Sequence, residues 1–178
     1  MTSAIQILNG IGLNSTHLDR LAQGVESVFG VPTHVLPSTI QVQRTFDQSR
    51  RQYNSTALLA MLLNQSTEQG VKNVLVVDVD LYIPILTFVF GEAQLNGIAA
   101  VVSTHRLRNQ FYGLPLNEET TLERLEKEVI HELGHTFGLY HCRQFECVMR
   151  SSTYVEEIDL KRAEPCGSCA ALLRQSPS

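Results

Sequence analysis

Much that would point to a nucleic acid or a membrane is missing from this sequence. Its 178 residues carry 14 Lys and Arg against 18 Asp and Glu, a formal net charge of -4, with no long basic run. The electrostatic footprint of a phosphate-binding surface is therefore absent, and no nucleic-acid partner is expected. No apolar stretch approaches the ~20 residues needed to cross a bilayer, so no membrane partner is expected either. There is no internal repeat and no low-complexity segment. The opening residues, Met1-Thr2-Ser3-Ala4-Ile5-Gln6-Ile7, have no basic start, no sustained apolar run and no cleavage site. That predicts a cytoplasmic protein with no evident propeptide; its oligomeric state is left open, a monomer being favoured. Histidine is scarce, six in all, and the four cysteines are confined to the stretch from Cys142 to Cys169.

What is present concentrates in one run, His131-Glu132-Leu133-Gly134-His135-Thr136-Phe137-Gly138-Leu139-Tyr140-His141. His131 and His135 stand one helical turn apart on the same face, so both imidazoles reach one metal ion. Glu132 is placed to handle a proton beside that metal. Gly138 lets the helix stop, and His141 then swings back as a third ligand. Three neutral nitrogen ligands leave one corner of a tetrahedral zinc open, as a catalytic site requires. A bare H-E-x-x-H arises by accident in roughly 1% of such chains. The glycine and third histidine at fixed offsets make coincidence rarer still. The other histidines, His17, His34 and His105, have no partners at ligand spacing.

The cysteines form two close pairs, Cys142-x4-Cys147 and Cys166-x2-Cys169, separated by a longer loop. Two short-range pairs are the spacing of a four-thiolate zinc site. The alternative is two disulfides in a secreted protein. With no secretory signal in view, a reducing compartment and a metal are favoured.

The histidine run resembles the metzincin signature, H-E-x-x-H-x-x-G-x-x-H followed by a methionine turn, for which Met149 is the candidate. With the junction His141-Cys142 and the downstream C-x-x-C, the resemblance sharpens to the archaemetzincins, a family of zinc metalloproteases. Asp80-Leu81-Tyr82 and Phe88-Val89-Phe90-Gly91-Glu92-Ala93 resemble the segment that precedes the active-site helix in that family. The match covers roughly residues 74–170. It implies a catalytic zinc on His131, His135 and His141, with Glu132 as general base and Met149 beneath the metal. It also implies a second, structural zinc on Cys142, Cys147, Cys166 and Cys169. Phe88 to Ala93 becomes the candidate edge strand along which an extended peptide is aligned.

Along the chain, Ala4–Leu8 and Pro32–Leu36 read as strands. Leu18, Leu21, Val25 and Val28 recur at helical spacing after an N-cap at Ser15 or Thr16. Residues 55–69 form a helix that buries Leu58, Leu59, Leu62 and Leu63 and ends at Gly70. Asn73–Asp80 reads as a central strand, with Asp78 and Asp80 sharing a face as a strand-end pair or cation site. Thr87–Ala93 and Ile98–Thr104 flank an Asn96-Gly97 turn. A long helix, roughly Glu118–Gly138, carries the histidines opposite a stripe of Leu125, Val129, Leu133 and Phe137. Pro165 starts a last helix with Cys166, Cys169, Leu172 and Leu173, and residues 174–178 read as a disordered tail. The fold class is α/β in the metzincin manner: a mixed twisted sheet packed with helices, a long active-site helix and a small zinc-braced C-terminal subdomain. One catalytic domain, residues 1–178, divides into parts 1–138 and 139–178, with the cleft between them.

The function expected is a zinc-dependent peptidase acting on peptide or protein substrates through a zinc-bound water that Glu132 deprotonates. Tyr154 is a further candidate for oxyanion contact, weighed against a structural role. The first alternative is a two-zinc peptide-binding protein or pseudoenzyme, which a cleft filled by Tyr112 would favour. The second is a zinc endoribonuclease, against which Glu132 and the acidic balance both argue.

Overall fold

The computed structural model describes residues 2–66 and 68–175. Its main sheet has five strands: β1 (Ala4–Asn9), β2 (Thr33–Pro37), β5 (Val71–Val77), β7 (Gly91–Ala93) and β8 (Ala99–Ser103). They lie in the order β2-β1-β5-β8-β7. All neighbours run parallel except β7, which pairs antiparallel with β8, Gly91 opposite Val102 and Ala93 opposite Ala100. A small second sheet joins β3 (Phe46–Asp47), β4 (Gln52–Asn54) and β6 (Leu81–Tyr82).

The period of two along the strands sorts the core into two layers. Val74 and Val76 of β5, with Ala100 and Val102 of β8, face α1 (Ser15–Phe29) and α3 (Glu118–Thr136). Leu75 and Val77, with Ala99 and Val101, face Leu58, Leu59 and Leu62 of α2 (Ser55–Gln65). Every residue of β5 is buried, as a central parallel strand covered on both faces must be. The stripe Leu125, Val129, Leu133 and Phe137 is buried against the sheet. Phe137 also stacks on Phe29 at the end of α1, ring centroids 4.7 Å apart. Beyond α3 come two short helices, α4 (Val155–Asp159) and α5 (Gly167–Gln175). Their Val155, Ile158 and Cys169, with Cys147, Val148 and Met149, join the α1/α3 core.

Several local expectations shift. The N-cap of α1 is Asn14, whose side chain accepts from the His17 amide, so Ser15 and Thr16 lie inside the helix. Helix α2 closes at Gln65, because the Ser66 amide and hydroxyl both turn back onto the Leu62 carbonyl. Gly70, with φ +77°, instead opens the turn into β5. Strand β5 ends at Val77, which leaves Asp78 and Asp80 beyond it. Each takes an arginine, Arg108 at 2.8 Å and Arg106 at 2.5 Å, so they form ion pairs and no cation site. Between Thr87 and Phe90 the chain bridges to the small sheet through Val89 and Leu81, and only Gly91–Ala93 joins the main sheet. In α5, Leu172 is exposed while Leu173 packs on the core. Arg174 and Gln175 are helical; the remainder of the expected tail, residues 176–178, lies outside the described residues.

Candidate metal centre and cleft

Helix α3 sets the site. Asn117 caps its first turn by accepting from the Thr120 amide, and Glu118 and Glu119 complement the positive end of its dipole. Its C-terminus is held by Lys72 of β5, whose ammonium donates to the carbonyls of Thr136 (2.8 Å) and Gly97 (2.7 Å) and lies over the Phe137 ring. The Asn96 amide donates to the His135 carbonyl, so the Asn96-Gly97 turn is fastened to the helix end as well. Gly138 takes φ +88°, a left-handed conformation that suits glycine, and the chain turns back toward the helix face.

That turn brings the three imidazoles together. Ring centroids of His131, His135 and His141 lie 4.7, 5.3 and 4.9 Å apart pairwise. One ligand nitrogen from each falls within 4.8 Å of the others. His131 Nδ1 lies 2.7 Å from the Val148 carbonyl and His135 Nδ1 2.7 Å from the Leu139 carbonyl. A carbonyl only accepts, so both Nδ1 atoms carry the proton and both Nε2 atoms offer lone pairs. Those Nε2 atoms are 3.2 Å apart. Two lone pairs so close repel unless a cation lies between them, and ligands about 2.05 Å from a tetrahedral zinc would stand about 3.3 Å apart. The donor set fits that metal. Burial, with the Lys161 ammonium next, pushes His131 well below the ordinary imidazole range. Burial comes first for His135 and His141 too, so all three favour the neutral, ligating form.

Glu132 is buried beside His131, against the edge strand. Burial, then the carboxylates of Glu128 and Glu92, holds its carboxyl well above the usual range. A Cβ on Gly91 would stand 2.7 Å from Glu132 Cγ and 2.7 Å from the Val101 carbonyl oxygen. Only glycine leaves β7 and the carboxylate room to coexist. Met149 is fully buried beneath the helix, and a Cβ on Gly134 would meet its sulfur at 2.4 Å. Gly134 thus admits Met149 to the histidine turn. Neither glycine was singled out from sequence. A readable signal existed for Gly134, since glycine inside a helix costs roughly 1 kcal/mol and its presence hints at a close approach.

The four cysteines gather on the far side of the same loop. They are unbridged, with Cys147 and Cys169 buried, and their sulfurs lie within 4.8 Å of one another. The Cys142 and Cys166 sulfurs are 3.8 Å apart. A disulfide needs about 2.05 Å, whereas thiolates about 2.3 Å from a tetrahedral zinc stand about 3.8 Å apart. The Cys166 thiol is drawn down to about 7, first by the Cys169 backbone amide. Burial, then the neighbouring thiols, pushes Cys169 up. The Cys142 amide donates to the Met149 carbonyl, which ties this cluster to the loop under the histidines.

A groove of roughly 620 Å³ runs along β7 and the histidine face of α3. Its walls include Phe88, Phe90, Leu95 and Tyr140, with Glu132 and the three histidines at its floor. Strand β7 borders it as the edge of the main sheet. Glu92 accepts from the hydroxyls of Ser55 and Thr56 at the start of α2, so it is tied into the fold. Tyr112 donates to the Arg106 carbonyl and packs on Phe111, and it is not part of the groove lining. His105 also packs on Phe111 and belongs to no ligand set among the described residues. Tyr154 is largely exposed and precedes α4, its amide donating to Glu157.

The family model described as Peptidase family M54 matches residues 15–175. An archaemetzincin of Archaeoglobus fulgidus is 37% identical over 164 residues, spanning 92% of this chain and 95% of the relative. The structure of a zinc-dependent peptidase from Methanocorpusculum labreanum superposes with a TM-score of 0.85 at 30% identity, covering 95% of this chain and 99% of that one. An archaemetzincin of Methanopyrus kandleri gives 0.82 at 34% identity, covering 98% and 94%.

Proposed function

The chain belongs to peptidase family M54, and from that membership we propose that it hydrolyses peptide bonds at a zinc held by His131, His135 and His141, with Glu132 as general base. Bound there, zinc supplies Lewis acidity toward a peptide carbonyl and lowers the pKa of water to about 7. The residues supply the rest. Glu132, its carboxyl raised by burial and by Glu128 and Glu92, is the group placed to accept a proton from water and to carry it to the leaving amine. The Val148 and Leu139 carbonyls fix the two helix imidazoles, and Met149 supports the turn from below. The edge strand Gly91–Ala93, with Phe88 and Phe90 before it, aligns an extended peptide by β-addition.

A second, structural zinc on Cys142, Cys147, Cys166 and Cys169 completes the reading, supported by the 3.8 Å sulfur spacing. Unbridged thiols suit a reducing compartment, and the cytoplasm is the location we assign. The left-handed turn at Gly138 supports dividing one catalytic domain into parts 1–138 and 139–178. The observation that carries the proposal is the convergence of three imidazole nitrogens beside a buried carboxylate. Glu132→Gln should retain metal at the histidines and lose peptide hydrolysis; full turnover with full metal content would refute the base.

A further inference from the structure

Two large apolar side chains stand exposed at the His135 end of the groove, Tyr140 at 73% and Leu95 at 45%. They come from separate turns that the fold fastens together. Leu95 precedes Asn96, whose amide donates to the His135 carbonyl. Tyr140 follows Leu139, whose carbonyl lies 2.7 Å from His135 Nδ1. The turns also meet directly, since a Cβ on Gly138 would stand 3.5 Å from the Asn96 side-chain oxygen. Elsewhere in the groove the aromatic rings occupy one another. Phe88 and Phe90 pack edge to face at 5.3 Å, and Arg106 lies over Phe88. Tyr140 has no such neighbour: among the described residues its ring makes no stacking contact and its hydroxyl no hydrogen bond. Single exposed apolar side chains are ordinary on any surface. Two on pinned backbones, at one end of a substrate groove, are placed to touch what the groove holds.

We infer that Leu95 and Tyr140 form a subsite for a bulky apolar side chain, aliphatic or aromatic, of the peptide substrate. The inference rests on the peptidase reading and names the side chain that site selects. Strand β7 runs toward this end, from Gly91 against Glu132 to Ala93, with Leu95 just beyond. A peptide added along β7 advances about 3.3 Å per residue and turns alternate side chains to one face. The side chain that reaches Leu95 and Tyr140 therefore lies within about four residues of the scissile bond, always on the same side of it. Neither Leu95 nor Tyr140 brings a charge. Lysine and arginine are missing from the groove lining, and its two carboxylates, Glu128 and Glu132, come earlier on α3 than His135. An acidic side chain thus meets no cation here. A basic one finds the Tyr140 ring face, but Leu95 offers it no acceptor. An apolar side chain shields both Leu95 and the Tyr140 ring from water.

The test uses zinc-loaded full-length protein and a peptide library varied among Phe, Leu, Ala, Lys and Asp at positions on either side of the scissile bond. Cleavage is read with the wild type and binding with Glu132→Gln. The expected result is a preference of about tenfold for Phe or Leu over Ala, Lys and Asp at one position. Tyr140→Ala and Leu95→Ala should each shrink that preference severalfold at the same position. They should do so by raising KM with kcat little changed, because the contact is equal in ground and transition states. Tyr140→Phe keeps the ring and should keep the preference. Leu95 lies on a separate segment from His141, so Leu95→Ala decides the matter if Tyr140→Ala loses its metal. Cleavage without an apolar preference, a preference that both alanine variants retain, or a fall in kcat with KM unchanged overturns the subsite and leaves the peptidase standing. Apolar-selective binding that needs Leu95 and Tyr140, without cleavage by the wild type, sustains the subsite and overturns the peptidase. Neither binding nor cleavage overturns both.

Discussion

Before Gly138 the chain covers both faces of a five-stranded sheet, and its helices are fixed by apolar layers on either side. After Gly138 there are two short helices and no strand among the described residues. That later stretch holds its shape through a few apolar side chains borrowed into the first core, notably Val148, Met149 and Ile158, and through four gathered sulfurs. The contrast shows how one candidate metal centre is shared. The layered part supplies two histidines and the carboxylate on a rigid helix. The irregular part supplies His141 and Met149, and stays in place only where point contacts hold it.

The hardest way to break this contrast is at the sulfurs. Structural zinc contributes on the order of 10 kcal/mol of folding free energy in small modules. With the proposed zinc on the four sulfurs, Cys166→Ser should cost several kcal/mol, nearly all of it after Gly138. Limited proteolysis should open the exposed stretch Arg143–Glu146 while far-UV dichroism of the sheet and long helices persists. Zinc affinity at the histidines should fall with it, because the Cys142 amide holds the Met149 carbonyl. Loss of the whole fold, or an unchanged histidine site, would show that the two parts are not held in these separate ways.

A smaller effect is expected where the parts touch. Gly134→Val drives a branched side chain into the buried Met149 sulfur. Overpacking of this kind costs about 1–3 kcal/mol. The variant should keep its helix, displace Met149 and weaken zinc binding at the histidines, as metal titration with thermal unfolding would reveal. An unperturbed metal site would mean that Met149 is filler and no support.

The smallest effect belongs to the layered part alone. Lys72→Met removes the donor to the Thr136 and Gly97 carbonyls at the helix end, a loss of about 1–2 kcal/mol. Burial depresses the Lys72 pKa below its ordinary 10.5. Between the depressed folded value and 10.5 the unfolded chain binds more protons, so the Lys72 contribution grows more favourable as pH rises through that window and falls as pH drops. The stability difference between wild type and Lys72→Met, followed from pH 8 upward, should widen in favour of the wild type. A gap that narrows would place the sign wrongly.

Much of this was legible beforehand because it rests on local periodicity. The His131–His141 run, the cysteine pairs, the apolar stripe of α3 and the buried strand β5 are each written in spacing alone. Contacts between distant residues left weaker marks. Lys72 looks like any strand lysine until the sheet brings it beneath the end of α3. Gly91 looks like a turn residue, although Glu132 and the Val101 carbonyl exclude any side chain there. Asp78 and Asp80 suggested a shared strand face, yet β5 stops at Val77 where each aspartate finds its own arginine. The Glu128–Lys161 pair joins α3 to a residue beyond α4, and no pattern of spacing announces such a meeting.

The most direct test is anomalous diffraction at the zinc edge from crystals of zinc-loaded protein. Two peaks per chain are expected. One should lie equidistant from the Nε2 atoms of His131 and His135 and the ring of His141, with one corner not taken by protein. The other should lie within the four sulfurs. A single peak, a Cys–Cys bond, or a protein side chain filling the fourth corner at the histidines would contradict the account.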